Sequence, residues 1–241
     1  MKKRIWELDA FRGLCILGMI AVHFVYDLVE LYALVDWSYS PIFTLVMNWG
    51  GVAFILLSGI CATLGSRPLL RGLFVFSCGM LCTLVTAGLY LLEFADSSVL
   101  IYFGILHCLG FCMMLWPALH RLPTPVLSCC AAVLTAAGFI LSAHTVDTAL
   151  LVPFGLVYSG FQSADYFPLL PNLGFFLLGA VLGRALYRNK STRFPRINSH
   201  AVPIRFLSAC GRHSLAIYLL HQPVLTLLFT LLTLFPIRRF P

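Results

Sequence analysis

The chain has 241 residues, 60% of them hydrophobic and only 10% charged, with a mean hydropathy of +0.94. Soluble domains carry about 25% charged residues, so composition excludes a soluble fold, and long apolar runs recur along the whole chain as in a polytopic membrane protein. The net charge of +7 falls between those runs and not on a patch of a soluble domain, which argues for a role in topology and against a nucleic-acid partner. Nine cysteines, an odd number lying mostly inside apolar segments as at Cys78 and Cys82, argue against a disulfide framework or zinc site. No metal is expected.

The first apolar run, Trp6 to Leu28, follows the basic stretch Lys2, Lys3, Arg4. Arg12 interrupts it and no small-residue cleavage site follows, so it reads as a retained helix and not as a signal peptide. Further spans are expected near 8–30 (this first helix), 42–65, 69–92, 99–117, 125–144, 170–188 and 206–235, each long enough for a core of about 30 Å. The expected fold is therefore an all-α polytopic transmembrane helix bundle of about seven or eight spans, a single integral-membrane domain over 1–241. Arg67 and Arg71, then Arg121, then Arg184, Arg188, Lys190, Arg193, Arg196 and Arg205 occupy alternate connections. Asp36, Glu93, Asp96, Asp147 and Asp165 occupy the others. The positive-inside rule then makes the N-terminus cytoplasmic. Arg238 and Arg239 resist the scheme unless Pro223 breaks the last run into two pieces, and sequence leaves both options open. The stretch from His144 to Leu169 reads either as a cap on the outer mouth or as an interfacial connector with aromatic anchors.

Several ionisable side chains lie where hydrocarbon should exclude them: Asp9, Arg12, His23 and Asp27 in the first run, His107 in the fourth, and Arg212, His213 and His221 with Gln222 in the last. Arg12 and His23 would share nearly one helix face, about 16 Å apart along the axis. Asp27, one turn beyond His23, is spaced to accept from one imidazole nitrogen and orient the other. His107 is expected mid-span and His221 at mid-depth, so three histidines on different helices would line one polar pathway. Arg212 and His213 read first as part of the positive-inside pattern. Their functional reading is a phosphate contact for a cytoplasmic ligand, with Gly211 allowing close approach.

A cation at the inner side and an imidazole farther out suit a reaction in which a large anionic donor stays in the cytoplasm while a small group passes outward. Arg12 would orient the donor. His23 would either take an acyl group as nucleophile or remove the acceptor's proton, with Asp27 orienting it.

At these residues the chain resembles a known family. LDAFRGLCILGMIAVHFVYDL is similar to the opening helix of bacterial proteins related to heparan-alpha-glucosaminide N-acetyltransferase. GGVAFILLSGICATLGSR, YFGILHCLG, LPNLGFFLLGAVLGRALY and CGRHSLAIYLLHQP resemble later blocks in the same order, from near residue 4 to about residue 225. The R-x10-H spacing of Arg12 and His23 is also similar to a motif of the broader transmembrane acyltransferase superfamily. The resemblance implies acetyl transfer from cytoplasmic acetyl-CoA, across the inner (cytoplasmic) membrane of a bacterium, to an amine or hydroxyl of an extracytoplasmic sugar or glycan of the cell envelope. It carries over Arg12 and His23, with His107 and His221 as pocket positions; the residues themselves add Asp27 beside His23 as catalytic, Arg212 and His213 toward the donor, and Gln222 in the substrate pocket. The lysosomal enzyme's proposed active histidine lies after the first span, where this chain runs from Asp27 to Trp37 without one, so the superfamily position His23 carries the expectation.

Two other classes stand beside this one. The same polar groups could form a proton-coupled or solute pathway, although no internal repeat or paired broken helices mark a transporter. A noncatalytic partner subunit would have its Arg12 to His23 cavity filled by apolar side chains. A homo-oligomer is compatible with every reading.

Overall fold

A computed structural model describes residues 4–234. Eight α-helices follow in order: α1 (Trp6–Tyr26), α2 (Pro41–Leu64), α3 (Pro68–Leu91), α4 (Ile105–Leu119), α5 (Thr124–Leu141), α6 (Leu169–Leu186), α7 (Val202–Arg212) and α8 (Ser214–Leu234). Among the described residues no β-strand forms beyond two isolated bridges, Phe103 to Tyr166 and Thr145 to Val157. Among the described residues six helical stretches are long and apolar enough to cross a bilayer, and α4 is a shorter apolar helix. Large apolar side chains such as Phe74, Leu84, Leu91, Ile140 and Leu227 face outward, as a lipid-facing surface requires. The protein is an all-α polytopic membrane protein.

The helices near 8–30, 42–65, 69–92, 125–144 and 170–188 form within a few residues of the expected bounds. Two expectations are corrected. The last run, 206–235, does break, but at His213, between α7 and α8, while Pro223 lies inside α8. Residue 235 lies outside the described residues, as do Lys2, Lys3, Arg238 and Arg239. The fourth span starts at Ile105 and not near 99, because Ser97–Val99 forms a 3-10 turn and Leu100 turns extended. At fifteen residues, α4 is about 22 Å long.

The chain forms two compact units, Met1–Phe54 with Thr192–Pro241, and Ile55–Ser191. In the first, α1 packs along α7 at a glycine crossing. A methyl on Gly13 would stand 2.7 Å from the Leu207 carbonyl carbon, and one on Gly211 would stand 2.8 Å from that of Asp9. Only hydrogen fits there, as at close helix crossings in membranes generally. Beyond Tyr26 the helix widens into a π-turn, Asp27–Leu31, closed by Tyr32 N–H donating to the Asp27 carbonyl at 2.8 Å. Such bulges concentrate at functional positions.

In the second unit α3 packs on α4 and α5 on α6. Its core holds Phe176, Leu177, Leu127 and Cys112, with Trp116 against Phe176 at 6.2 Å. Arg184 of α6 gathers the α4–α5 junction by donating to the carbonyls of His120 at 2.6 Å and Leu122 at 2.9 Å. Gly183 lies against Ile60 and Thr63 of α2. The C-terminal ends of α2, α4 and α6 therefore share one end of this unit.

Candidate active site

Helix α1 carries the charged and imidazole groups of the first unit. Near its start Asp9, 9% exposed, holds two arginines: Arg12 Nη1 lies 3.1 Å from Oδ1 and Arg4 Nη1 lies 3.7 Å from Oδ2. A buried carboxylate needs such partners. Asp9 also lines a pocket of about 650 Å³ together with Arg4, Trp6, His200, Arg205 and Arg212. Four of its eleven lining residues, Arg4, His200, Arg205 and Arg212, carry a guanidinium or an imidazole, so the pocket suits an anion with several phosphate oxygens. Arg212 thus faces the pocket, whereas His213 is exposed at the junction of α7 and α8. Glu7 closes one side of the unit, accepting from the Thr192 hydroxyl at 2.9 Å and from Arg193 N–H at 2.7 Å.

Eleven residues on from Arg12, about 16 Å of helix axis, His23 Nδ1 donates to the Met19 carbonyl at 2.9 Å. A carbonyl only accepts, so the bond places the hydrogen on Nδ1 and leaves the lone pair on Nε2. His221 of α8 repeats the device with Nδ1 on the Tyr218 carbonyl. The two rings meet edge to face with centres 4.8 Å apart.

The hydrogen bond from His23 to Asp27 suggested by their spacing is replaced by a different contact. Asp27, only 1% exposed, accepts from Gln222 Nε2 at 3.0 and 3.3 Å. A carboxylate accepts only, which fixes the orientation of the amide. The structure therefore brings His23, His221, Asp27 and Gln222 into one cluster. Two acceptors in it, His221 Nε2 and Gln222 Oε1, are buried without a hydrogen-bond partner among the described residues.

His107 belongs to the second unit and sits in the first turn of α4, not at mid-span. Its Nδ1 accepts from Gly104 N–H at 3.1 Å. Its Nε2–H therefore points at Thr83 Oγ1, 3.3 Å away, while that hydroxyl donates to the Ile101 carbonyl at 2.7 Å. Both ring nitrogens are engaged in holding the approach to α4. Asp165 completes it, accepting from Ile105 N–H at 3.0 Å, and Ser163 donates to the Leu100 carbonyl at 2.9 Å. The stretch between α5 and α6 thus caps the start of α4 within this unit.

Sequence reasoning missed Arg4, His200 and Arg205 as pocket residues and Asp9 as their link. The i,i+3 spacing of Asp9 and Arg12 was an available signal. Among the described residues no group of three His, Cys, Asp or Glu side chains stands close enough to hold a metal.

No curated protein and no solved structure matches this chain. A family model described as heparan-alpha-glucosaminide N-acetyltransferase, catalytic, matches residues 4–223. That span takes in both the Asp9–Arg12 pair and the imidazole cluster, and the chain belongs to this family of membrane acetyltransferases.

Proposed function

We propose that this protein takes the acetyl group of acetyl-CoA on the cytoplasmic side of a bacterial inner membrane and delivers it to an amine or hydroxyl of an extracytoplasmic sugar or glycan. Family membership supports the acetyltransferase activity. The observation that carries the finer reading is the layout of α1. A basic pocket lies at its N-terminal end, and an imidazole with Nδ1 tied to a backbone carbonyl lies about 16 Å along the axis from Arg12. That separation suits a donor whose phosphates rest on arginines while its thioester reaches up a long flexible arm.

In this reading Arg4, Arg205 and Arg212 hold the phosphates, and Arg12, set by Asp9, orients the arm. His23 Nε2 attacks the acetyl carbonyl; a carbon–nitrogen bond forms, the carbon–sulfur bond breaks, and CoA leaves as the thiolate. Asp27 supplies negative charge one turn beyond the cationic acetyl-imidazole. The positive-inside rule puts the basic pocket in the cytoplasm.

The test is incubation of purified protein with radiolabelled acetyl-CoA, following label retained on the protein and CoA released, for the wild type and His23→Ala. The expected result is His23-dependent label or release. Equal label and release in folded His23→Ala would remove His23 from the chemistry.

A further inference from the structure

A second pocket lies wholly within the unit Ile55–Ser191. It measures about 520 Å³ and is lined by Thr63 and Leu64 at the end of α2, Thr124 at the start of α5, and Arg184, Arg188 and Lys190 at the end of α6. The acetyl-transfer reading makes no use of it. Three of its lining side chains are cations, and among the described residues that line it none is acidic. Arg184 is fixed before any ligand arrives: Nη1 donates to the Leu122 carbonyl at 2.9 Å and to the Thr124 hydroxyl at 3.3 Å, and Nη2 donates to the His120 carbonyl at 2.6 Å. Those partners are neutral, so its charge is not cancelled. A tight turn brings in Lys190. Its φ of 52° is left-handed, a conformation uncommon outside glycine, and its N–H donates to the Tyr187 carbonyl at 2.9 Å.

The charge of this unit is divided between its ends. Arg67, Arg71, Arg121, Arg184, Arg188 and Lys190 lie at the α2–α3 and α4–α5 connections and at the end of α6, whereas Glu93, Asp96, Asp147 and Asp165 lie in the alternate connections. Arg71 reaches back to the end of α2, where a methyl on Gly65 would stand 3.1 Å from its Nη1. Helix dipoles do not offset the six cations: three C-termini and two N-termini meet at this end, and at about half a charge each they leave about half a negative charge. An anionic ligand is therefore favoured over a zwitterionic one, whose ammonium would find no carboxylate. The pocket also continues into lipid-facing surface. Leu182 and Leu178 share the helix face of the lining residue Ala185 and are 38% and 42% exposed.

We propose that this pocket binds an anionic phospholipid, its phosphodiester resting on Arg184, Arg188 and Lys190 and an acyl chain running along Leu182 and Leu178. Guanidinium N–H pairs match phosphate oxygens. Basic pockets between spanning helices take such headgroups at the cytoplasmic leaflet, where the positive-inside rule puts this end. The site shares no residue with the pocket lined by Arg4, Arg205 and Arg212. Bound lipid ties the ends of α2, α5 and α6 together and raises stability by linkage.

The experiment uses the full chain, delipidated in a neutral detergent at physiological ionic strength, where charges more than about 8 Å apart are screened. Phosphatidylglycerol, phosphatidylcholine and inorganic phosphate are titrated in parallel, with bound lipid counted by native mass spectrometry and melting temperature followed alongside. Wild type is compared with Arg188→Gln plus Lys190→Gln, and with Arg67→Gln plus Arg121→Gln, which removes the same charge from the same end outside the pocket. The expected result is saturable phosphatidylglycerol held in preference to phosphatidylcholine, weakened roughly 25-fold in the pocket variant, about fivefold for each cation, and by less than about threefold in the other. All four side chains are exposed, so both variants should fold; Arg188→Gln alone, expected at about fivefold, serves if the double variant does not. The pocket lined by Arg4, Arg205 and Arg212 is unaltered throughout, so anything bound there is common to every protein compared. Equal affinity for the two lipids, or equal loss in the two double variants, would reduce the pocket to part of a diffusely charged end and overturn the proposal. Stabilisation by inorganic phosphate as strong as by phosphatidylglycerol would overturn a lipid as its occupant.

Discussion

Gln222 spans the carboxylate of Asp27 with one amide nitrogen, 3.0 Å from one oxygen and 3.3 Å from the other. Asp27 is almost fully buried, and hydrogen bonds to buried charged groups are worth about 1.5–3 kcal/mol. Gln222→Leu should therefore lower stability by about 2–3 kcal/mol, read as a drop in melting temperature in detergent. Adding Asp27→Leu should recover most of that loss, because removing both partners strands neither. Acetyl transfer should be absent in the double variant, which separates stability from chemistry. A single variant that melts like wild type would show that the pair contributes nothing to the fold.

The crossing of α1 and α7 makes a sharper demand. Gly13 and Gly211 each face the other helix's backbone, which cannot move aside as a side-chain tip can. Gly13→Ala should cost about 3 kcal/mol or more by overpacking, and the yield of folded protein should fall. Gly18 lies on the same helix, and among the described residues nothing stands within 4 Å of its added methyl. Gly18→Ala should be neutral or gain up to about 1 kcal/mol. Thermal unfolding of the two variants side by side decides the matter, and equal melting would contradict the crossing.

The legible parts of this chain were those written in local periodicity. Apolar run length located α1, α2, α3, α5 and α6 to within a few residues. What stayed hidden is tertiary. Gln222 meets Asp27 across 195 positions, and Asp165 caps Ile105 across 60. Neither contact leaves a trace in spacing: i,i+4 spacing points His23 at Asp27, which instead meets Gln222, and run length puts His107 at mid-span, whereas it lies in the first turn of α4. The π-turn at Asp27 has no signature in residue types. The end of α7 was read through because Gly211, Arg212 and His213 interrupt an apolar run only briefly, and Gly211 is placed by its contact with α1.

Arg12 is tied to Asp9 at 3.1 Å with its side chain 20% exposed, so its removal has two effects. Arg12→Ala leaves Asp9 with Arg4 at 3.7 Å and should cost about 1–3 kcal/mol of stability. It should also raise the KM for acetyl-CoA far more than that for the acceptor. Adding Asp9→Asn should restore stability, since the buried carboxylate is gone, but not donor binding. Steady-state kinetics with each substrate varied in turn checks this, and recovery of the donor KM in the double variant would reduce Arg12 to a structural partner of Asp9.

Tyr166, in the segment before α6, offers a pH test outside the spanning helices. Its hydroxyl donates to the Val152 carbonyl at 2.7 Å, and burial pushes the phenol up to about 12. The unfolded chain ionises near 10. A folded value above the unfolded one means that Tyr166 contributes its full stability below about pH 10 and loses it as pH rises toward 12; the unfolded state releases its proton first. Wild type should therefore lose melting temperature above pH 10 more steeply than Tyr166→Phe. At neutral pH the variant should be less stable by about 1 kcal/mol for the unpaired carbonyl. Parallel curves for the two proteins between pH 9 and 11 would show that the phenol is not held as the structure has it.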